Sequence, residues 1–297
     1  MISTAKLERW TNYQTAATTA ARDTHTTIRS ALEDGELRGA EDGLEFTTKL
    51  QGSYRNTTMV RGSGDVDILV IRTDAYYADF SRIPDYSTDF SPAENPRKAF
   101  EDHAEAVYRT LQYQYGASNV SLGDKAIELN TDSLSRGADI VPCLQHRRYW
   151  QDFPGNYMRG IAFWTEDGEE VVNFPERHRI QGAQYQNDTN GNYKPTIRIF
   201  KNLRNELLEQ GHVEKEQVPS YFIECLLSNV PVNLIRIDDL CDRTIEIVDF
   251  LSSQSEEDLR TFTTQHGLRN LFGPRTVQWD VHDAKQFIEE AKTYLDE

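Results

Sequence analysis

Two aspartates stand one residue apart inside an apolar stretch of this chain. Asp65 and Asp67 belong to residues 51–70, which read QGSYRNTTMVRGSGDVDILV. Alternate residues of a β-strand project from the same face, so the sequence predicts that both carboxylates share one face. Neighbouring carboxylates repel each other unless a cation lies between them. Mg²⁺ binds carboxylate and phosphate oxygens, and the pair therefore predicts a magnesium site.

A glycine and a serine upstream of these carboxylates supply a second chemical feature. Gly52 allows the backbone to approach a ligand closely, and Ser53 adds a hydroxyl group. The residues that follow are predicted to begin a short helix, whose first backbone N–H groups are free to bind phosphate. Eleven residues separate Ser53 from Asp65. The segment therefore combines a predicted phosphate cradle with a predicted metal-binding pair.

A third carboxylate is expected to complete the metal site. Carboxylate sites of this kind hold two ions that activate an attacking hydroxyl and stabilise a leaving pyrophosphate. Asp139, in the apolar segment GADIVPCL, is the best candidate, because a lone carboxylate in a buried strand would be costly. Asp132 and Glu128 are nearby competitors. If the strand around Asp139 pairs beside the strand around Asp67, the third carboxylate faces the pair.

These motifs resemble those of a known enzyme superfamily. Gly52-Ser53 followed by Asp65-Val66-Asp67 resembles the signature of the DNA polymerase β-type nucleotidyltransferases. The whole segment is similar to the core of the cGAS/DncV-like nucleotidyltransferases (CD-NTases), the oligonucleotide cyclases of bacterial and archaeal anti-phage signalling. Four further segments resemble this family in its order: NFPERH (173–178), YKPTIRIFKNLRNEL (193–207), PSYFIECLLSNVP (219–231) and LFGPRTVQWD (271–280).

The resemblance implies a role for each residue of the catalytic motif. Asp65 and Asp67 would bind two Mg²⁺ or Mn²⁺ ions. Asp139 would complete the site and help to deprotonate the acceptor hydroxyl. Three residues would line the donor triphosphate: Gln51, Gly52 and Ser53.

The resemblance also implies nucleotide contacts in the second half of the chain. Lys201 would contact the donor phosphates, although Lys201 and Arg204 also fit a solvated helix face. Ser220 and Tyr221 would lie near the nucleotide, with Tyr221 stacking on a base. Because Tyr221 opens an apolar helix, a plain core position is the alternative.

The order of predicted elements indicates an α+β fold with two lobes. Strands dominate the first two-thirds and helices the last third. With the resemblance, this predicts a polymerase β-like nucleotidyltransferase core with its N-terminal helix over residues 1–190, and a C-terminal helical lobe over residues 191–297. The pattern also predicts one helix over residues 3–34 and loops over residues 75–96 and 181–193.

Charge and composition narrow the choice of partners. The chain of 297 residues carries a formal charge of −16, which disfavours binding to long nucleic acids. The absence of a Cys/His cluster also argues against the zinc insertion of the animal DNA sensor, so no duplex DNA requirement is expected. Neither a membrane span nor a secretory signal is expected, and three dispersed cysteines fit a reducing cytoplasm.

The leading hypothesis is a cyclase that joins nucleoside triphosphates, ATP among them, into a cyclic di- or trinucleotide messenger. The resemblance also implies an effector that the product activates, and it is compatible with a protein activator of the enzyme. One alternative is transfer of a nucleoside monophosphate to an RNA end, a protein or a small molecule. Another is a non-catalytic nucleotide-binding or scaffold protein on the same fold.

Overall fold

The computed structural model describes residues 2–13, 15–37, 40, 44–60, 64–83, 95–150 and 156–296. The strands are β1 (Phe46–Leu50), β2 (Val66–Asp79), β3 (Val120–Leu122), β4 (Ile127–Leu129), β5 (Ala138–Tyr149), β6 (Tyr157–Trp164) and β7 (Glu170–Asn173). The helices are α1 (Thr4–Thr11), α2 (Thr15–Asp34), α3 (Gly52–Asn56), α4 (Pro96–Tyr115), α5 (Pro175–Asp188), α6 (Tyr193–Glu209), α7 (Ser220–Leu227), α8 (Val232–Ile235), α9 (Leu240–Ser252), α10 (Glu256–Arg260) and α11 (Val281–Asp296).

Contacts group these elements into two units. The described residues within Met1–Gln14, Asn56–Ser63 and Arg177–Glu297 form one, here called the helical unit. Those within Thr15–Arg55 and Gly64–Glu176 form the other, here called the sheet unit. The α+β class is thereby confirmed, while the lobe boundary at residues 190 and 191 stays a prediction.

A seven-stranded mixed sheet forms the sheet unit, with the path β1-β2-β5-β4-β3 and with β6 and β7 continuing from β5. Its central pair, β2 and β5, is parallel, whereas the other strand pairs are antiparallel. The apolar residues that alternate along β2 explain its central position, because Val66, Ile68 and Val70 are fully buried. Helix α4 begins at Pro96 and ends at Tyr115, with Asn95 as its N-cap.

An apolar core of helices holds the helical unit together. Helix α6 contributes six residues to this core, and α7 is buried along most of its length. The core also receives Leu7 from α1 and Phe287 from α11, both fully buried. The packing of amphipathic helices, more than intrinsic helix propensity, accounts for the stability of such a unit.

Three sequence expectations need correction. The helix predicted over residues 3–34 is two helices, α1 and α2. Side chains of α6 replace the helical hydrogen bonds at the end of α1, because Arg198 Nε donates to Thr11 O at 2.7 Å and Asn202 Nδ2 donates to Trp10 O at 3.2 Å. Strand β2 continues through residues 75–79, where Arg147 packs over the Tyr76 ring at 3.6 Å. Residues 84–94 of that predicted loop lie outside the described ranges.

The third correction concerns residues 181–193. Most of this predicted loop is the C-terminal part of α5, and only a short turn precedes α6. The Gln/Asn-rich sequence lacks an apolar stripe, but Pro175 fits the first helical turn and His178 and Gly182 are buried. Thr189 Oγ1 then accepts from Tyr193 N at 3.1 Å, which starts the next helix.

Candidate active site

The register of the central strands places two predicted carboxylates side by side. Asp67 of β2 pairs directly with Asp139 of β5. Paired residues of neighbouring strands project from the same face, so the two side chains leave the sheet together. Asp65 precedes β2 by one residue, and Val66 N donates to Gly137 O at 2.9 Å where the two strands begin. The three aspartates therefore enter one edge of the sheet unit at adjacent positions.

Two glycines allow the backbone to pass close to these carboxylates. A Cβ atom at Gly52 would collide with Oδ2 of Asp67, and one at Gly137 would collide with Oδ1 of Asp65 and Oδ1 of Asn130. Gly52 also has φ +68°, a conformation that residues with a Cβ rarely adopt. Its position in the motif thus has a steric reason in addition to a conformational one.

The predicted short helix after the Gly-Ser pair is present as α3. It follows β1 directly, and Gln51 N donates to Asp67 O at 2.9 Å, which ties the start of the helix to the carboxylate strand. Backbone N–H groups in the first turn of a helix have no partner within the helix and can bind phosphate. The side-chain oxygen of Gln51 is buried without a hydrogen-bond partner, and a turn of the amide would present its NH₂ group to an anion.

Arg136 is a site neighbour that the sequence reasoning missed. Its Nη1 donates to the Tyr54 hydroxyl at 2.5 Å, and that hydroxyl donates to Gly64 O at 3.2 Å. Burial raises the pKa of Tyr54 above its ordinary value; Arg136 opposes this effect, and the charges of Asp67 and Asp65 add to it. The signal was present in the segment SRGAD, where an arginine and a glycine directly precede Ala138 and Asp139.

Strand register distinguishes Asp139 from its competitors. Asp132 is exposed in the turn after β4. Glu128 pairs with Asp139 from the opposite side, on β4, where it is exposed and accepts from Ser121 Oγ at 3.3 Å. Of the three candidates, only Asp139 lies on the strand next to Asp67.

The residues present fit a divalent-cation site. Within the described ranges, no three His, Cys, Asp or Glu side chains already form a closed metal-binding group. The Asp65 and Asp67 carboxylates lie close to different glycines, Gly137 and Gly52. Three adjacent aspartates nevertheless provide six hard oxygen donors, the kind that Mg²⁺ and Mn²⁺ prefer.

In the helical unit, Lys201 is buried rather than solvated. Lys201 and Arg204 are only 2% and 7% exposed, so the alternative of a solvated helix face is wrong. The Lys201 ammonium lies 2.6 Å from Glu224 Oε1 and donates to Thr58 Oγ1 at 3.2 Å. Its contact with donor phosphates stays a prediction.

The two other predicted nucleotide contacts of this unit lie at the start of α7. Ser220 is the first residue of the helix and is exposed. The Tyr221 ring is stacked on His178 with centroids 4.9 Å apart, and it lies 5.8 Å from the ring of Trp279. Tyr221 thus packs within the unit, and its stacking on a base stays a prediction.

Three comparisons with known proteins agree with the resemblance. A model of the cGAS/DncV-like nucleotidyltransferase C-terminal helical domain matches residues 180–296. The cyclic nucleotide synthase CdnE01 of Staphylococcus haemolyticus is 36% identical and covers 100% of this chain and 99% of its own. The cyclic UMP-AMP synthase of Rhodothermus marinus is 34% identical over 96% of this chain and 94% of its own.

The fold comparison extends the same likeness to the whole chain. The structure of the Rhodothermus marinus CdnE c-UMP-AMP synthase with Apcpp and Upnpp superposes with a TM-score of 0.83 at 32% identity, covering 100% of this chain and 97% of that one. The predicted nucleotidyltransferase core with a helical C-terminal domain is thereby confirmed. A bilayer-spanning helix is absent from the described ranges, where every helix is too short or too polar.

Proposed function

The chain belongs to the cGAS/DncV-like nucleotidyltransferase family, and on that premise we propose that it makes a cyclic di- or trinucleotide second messenger from nucleoside triphosphates. The messenger serves anti-phage signalling of the CBASS type. The pairing of Asp67 with Asp139 across β2 and β5, next to the Gly52 turn, is the observation that carries this proposal.

The family depends in general on divalent metal ions. In this chain Asp65, Asp67 and Asp139 would hold two Mg²⁺ or Mn²⁺ ions, which would supply charge stabilisation for the reacting phosphate and the leaving pyrophosphate. The geometric support is the common edge of the sheet from which the three carboxylates emerge.

The remaining residues bind and orient the substrates. Six residues contact the nucleotide: Gln51, Gly52, Ser53, Lys201, Ser220 and Tyr221. Backbone N–H groups at the start of α3 and the Ser53 hydroxyl donate to the donor triphosphate, and the Lys201 ammonium donates a further hydrogen bond to it. The aromatic face of Tyr221 suits any base and contributes affinity more than identity.

The reaction is an in-line phosphoryl substitution. The acceptor ribose hydroxyl attacks the donor α-phosphorus, a new P–O bond forms, and the bond to the pyrophosphate oxygen breaks. Asp139 takes the hydroxyl proton, and pyrophosphate leaves with the bonding electron pair. A second round within the linear intermediate closes the ring and releases another pyrophosphate.

The partners follow from this chemistry and from the charge of the chain. ATP is among the substrates, a separate effector responds to the product, and the scheme is compatible with a protein activator. A net charge of −16 provides no general attraction for duplex DNA. The enzyme works in the cytoplasm.

Incubation of the purified protein with all four NTPs and Mg²⁺ or Mn²⁺ tests the proposal. Mass spectrometry should find a phosphatase-resistant cyclic product, and the Asp65→Ala, Asp67→Ala double variant should give none. The same product from the double variant would overturn the assignment. Linear nucleotide additions to an RNA end, a protein or a small molecule would favour transfer instead. Nucleotide-stabilised melting without turnover would favour a non-catalytic binding protein.

A further inference from the structure

A single buried carboxylate organises the polar interior of the helical unit. Glu224 is 2% exposed in the otherwise apolar helix α7. Its Oε1 accepts from Thr58 Oγ1 at 2.5 Å and from Lys201 Nζ at 2.6 Å. Its Oε2 accepts from His178 Nε2 at 2.9 Å and from Asn56 Nδ2 at 3.1 Å. These five side chains are called the Glu224 cluster below.

The cluster keeps Glu224 charged in spite of its burial. Burial raises the pKa of a carboxyl group, but the Lys201 ammonium and the His178 hydrogen bond outweigh this effect and hold the pKa of Glu224 well below its usual range. The charge of Glu224 in turn neutralises the buried Lys201. Removing either charge would leave the other one uncompensated, which is among the costliest changes that a protein interior can undergo.

Two members of the cluster belong to the chain segment that follows the predicted phosphate cradle. Asn56 is the last residue of α3, whose first residues are Gly52 and Ser53. Thr58 is also held by Lys201, and the intervening Thr57 carbonyl accepts from Arg198 Nη1 at 2.7 Å. Thr57 has φ +59°, so the chain turns sharply at a point where the residues on both sides are anchored.

The other two members of the cluster are Lys201 and His178, which are themselves predicted nucleotide contacts or lie against one. Lys201 is the predicted phosphate ligand itself. His178 stacks on the ring of Tyr221 with centroids 4.9 Å apart and an interplanar angle of 29°. Gln265 Nε2 donates to His178 O at 2.7 Å and fixes the backbone behind that ring. Two predicted nucleotide contacts, Lys201 and Tyr221, are therefore linked through the cluster to one acidic side chain.

We propose that Glu224 is the positioning residue of the nucleotide site: it sets the Lys201 ammonium, the His178–Tyr221 ring stack and the Asn56–Thr58 segment in one fixed arrangement. This inference rests on the proposed function, since it assumes that those groups meet a nucleoside triphosphate. Glu224 touches no substrate. It holds its partners in place before the nucleotide binds, which reduces the conformational entropy that these side chains lose on binding.

Binding of the Mg²⁺ complex of a non-hydrolysable ATP analogue to the full chain tests the proposal, together with KM and kcat for NTPs. Glu224→Gln keeps the shape of the side chain but removes its charge, and it should raise Kd and KM by about tenfold or more. Thr58→Val keeps the volume and removes one hydrogen bond to Glu224, and it should raise both by about threefold to tenfold while kcat changes little.

The control is Glu206→Gln. Glu206 forms an ion pair with Lys6 at 3.0 Å in the same unit and has no contact with the Glu224 cluster among the described residues. This variant should keep wild-type Kd and KM. A purely structural defect lowers the fraction of folded enzyme, and so the apparent kcat, but leaves Kd and KM unchanged.

The outcomes separate the possibilities. Wild-type Kd and KM in Thr58→Val, and in Glu224→Gln if it folds, would overturn the positioning role. Should Glu224→Gln fail to fold, Thr58→Val decides alone. A wild-type protein that binds the analogue but makes no cyclic product would contradict the proposed function and leave the binding comparison valid. No binding by the wild-type protein would overturn both.

Discussion

Asp67→Asn should lower kcat by about a thousandfold or more while leaving the fold intact. Asparagine has the same shape as aspartate, but its neutral amide cannot balance the charge of a divalent ion. Asp67 stands beside Asp139 in the strand register. Because asparagine keeps the shape of aspartate, we expect the free energy of unfolding to change by less than about 1 kcal/mol. Steady-state product formation and urea unfolding measure the two effects.

Glu128→Gln is the matched control for this prediction. Glu128 pairs with Asp139 from β4, on the side away from Asp67, and is exposed. It should retain kcat within about threefold, because a solvated side chain outside the metal site adds little to the barrier. A large loss in Glu128→Gln together with a small loss in Asp67→Asn would mean that the metal site lies on the other side of β5.

Gly52→Ala should lower kcat/KM by about a hundredfold or more, since misplacement of reacting groups by about 1 Å has effects of this size. The added Cβ would meet the Asp67 carboxylate, so either that side chain or the start of α3 must move. Alanine at φ +68° also adds backbone strain of about 1–2 kcal/mol. Both effects come from one methyl group, and a control must separate them.

Gly211→Ala provides this separation. Gly211 has a similar φ of +76°, but a Cβ atom there would meet nothing within 4 Å. This variant should lose stability of about 1 kcal/mol, and its kcat/KM should stay at the wild-type value. Equal activity losses in the two variants would show that strain, and not collision with Asp67, explains the effect.

The central features of the candidate site could be predicted because they are local or strictly periodic. The period of two along a strand predicts that Asp65 and Asp67 share one face, which stays a prediction because Asp65 lies one residue before β2. An apolar flank identified Asp139 as a strand residue. Choosing Asp139 over Glu128 and Asp132 required the strand register. Register depends on pairing partners that are distant in the sequence, so the sequence left that choice open.

The Glu224 cluster could not be predicted for the same reason. In the segment PSYFIECLL, a single glutamate within an apolar helix gives no indication of its partners. Those partners are 23, 46, 166 and 168 residues away along the chain. The helical pattern of residues 193–209 also gave two opposite interpretations of Lys201, and only the packing of the unit showed that it is buried.

Crystals grown with Mn²⁺ and a non-hydrolysable NTP analogue test the central claim most directly. Anomalous diffraction should show two Mn²⁺ peaks about 4 Å apart, bound by Asp65, Asp67 and Asp139 and by phosphate oxygens of the analogue. Mn²⁺ bound elsewhere, or a triphosphate site from which Asp139 is remote, would contradict the account.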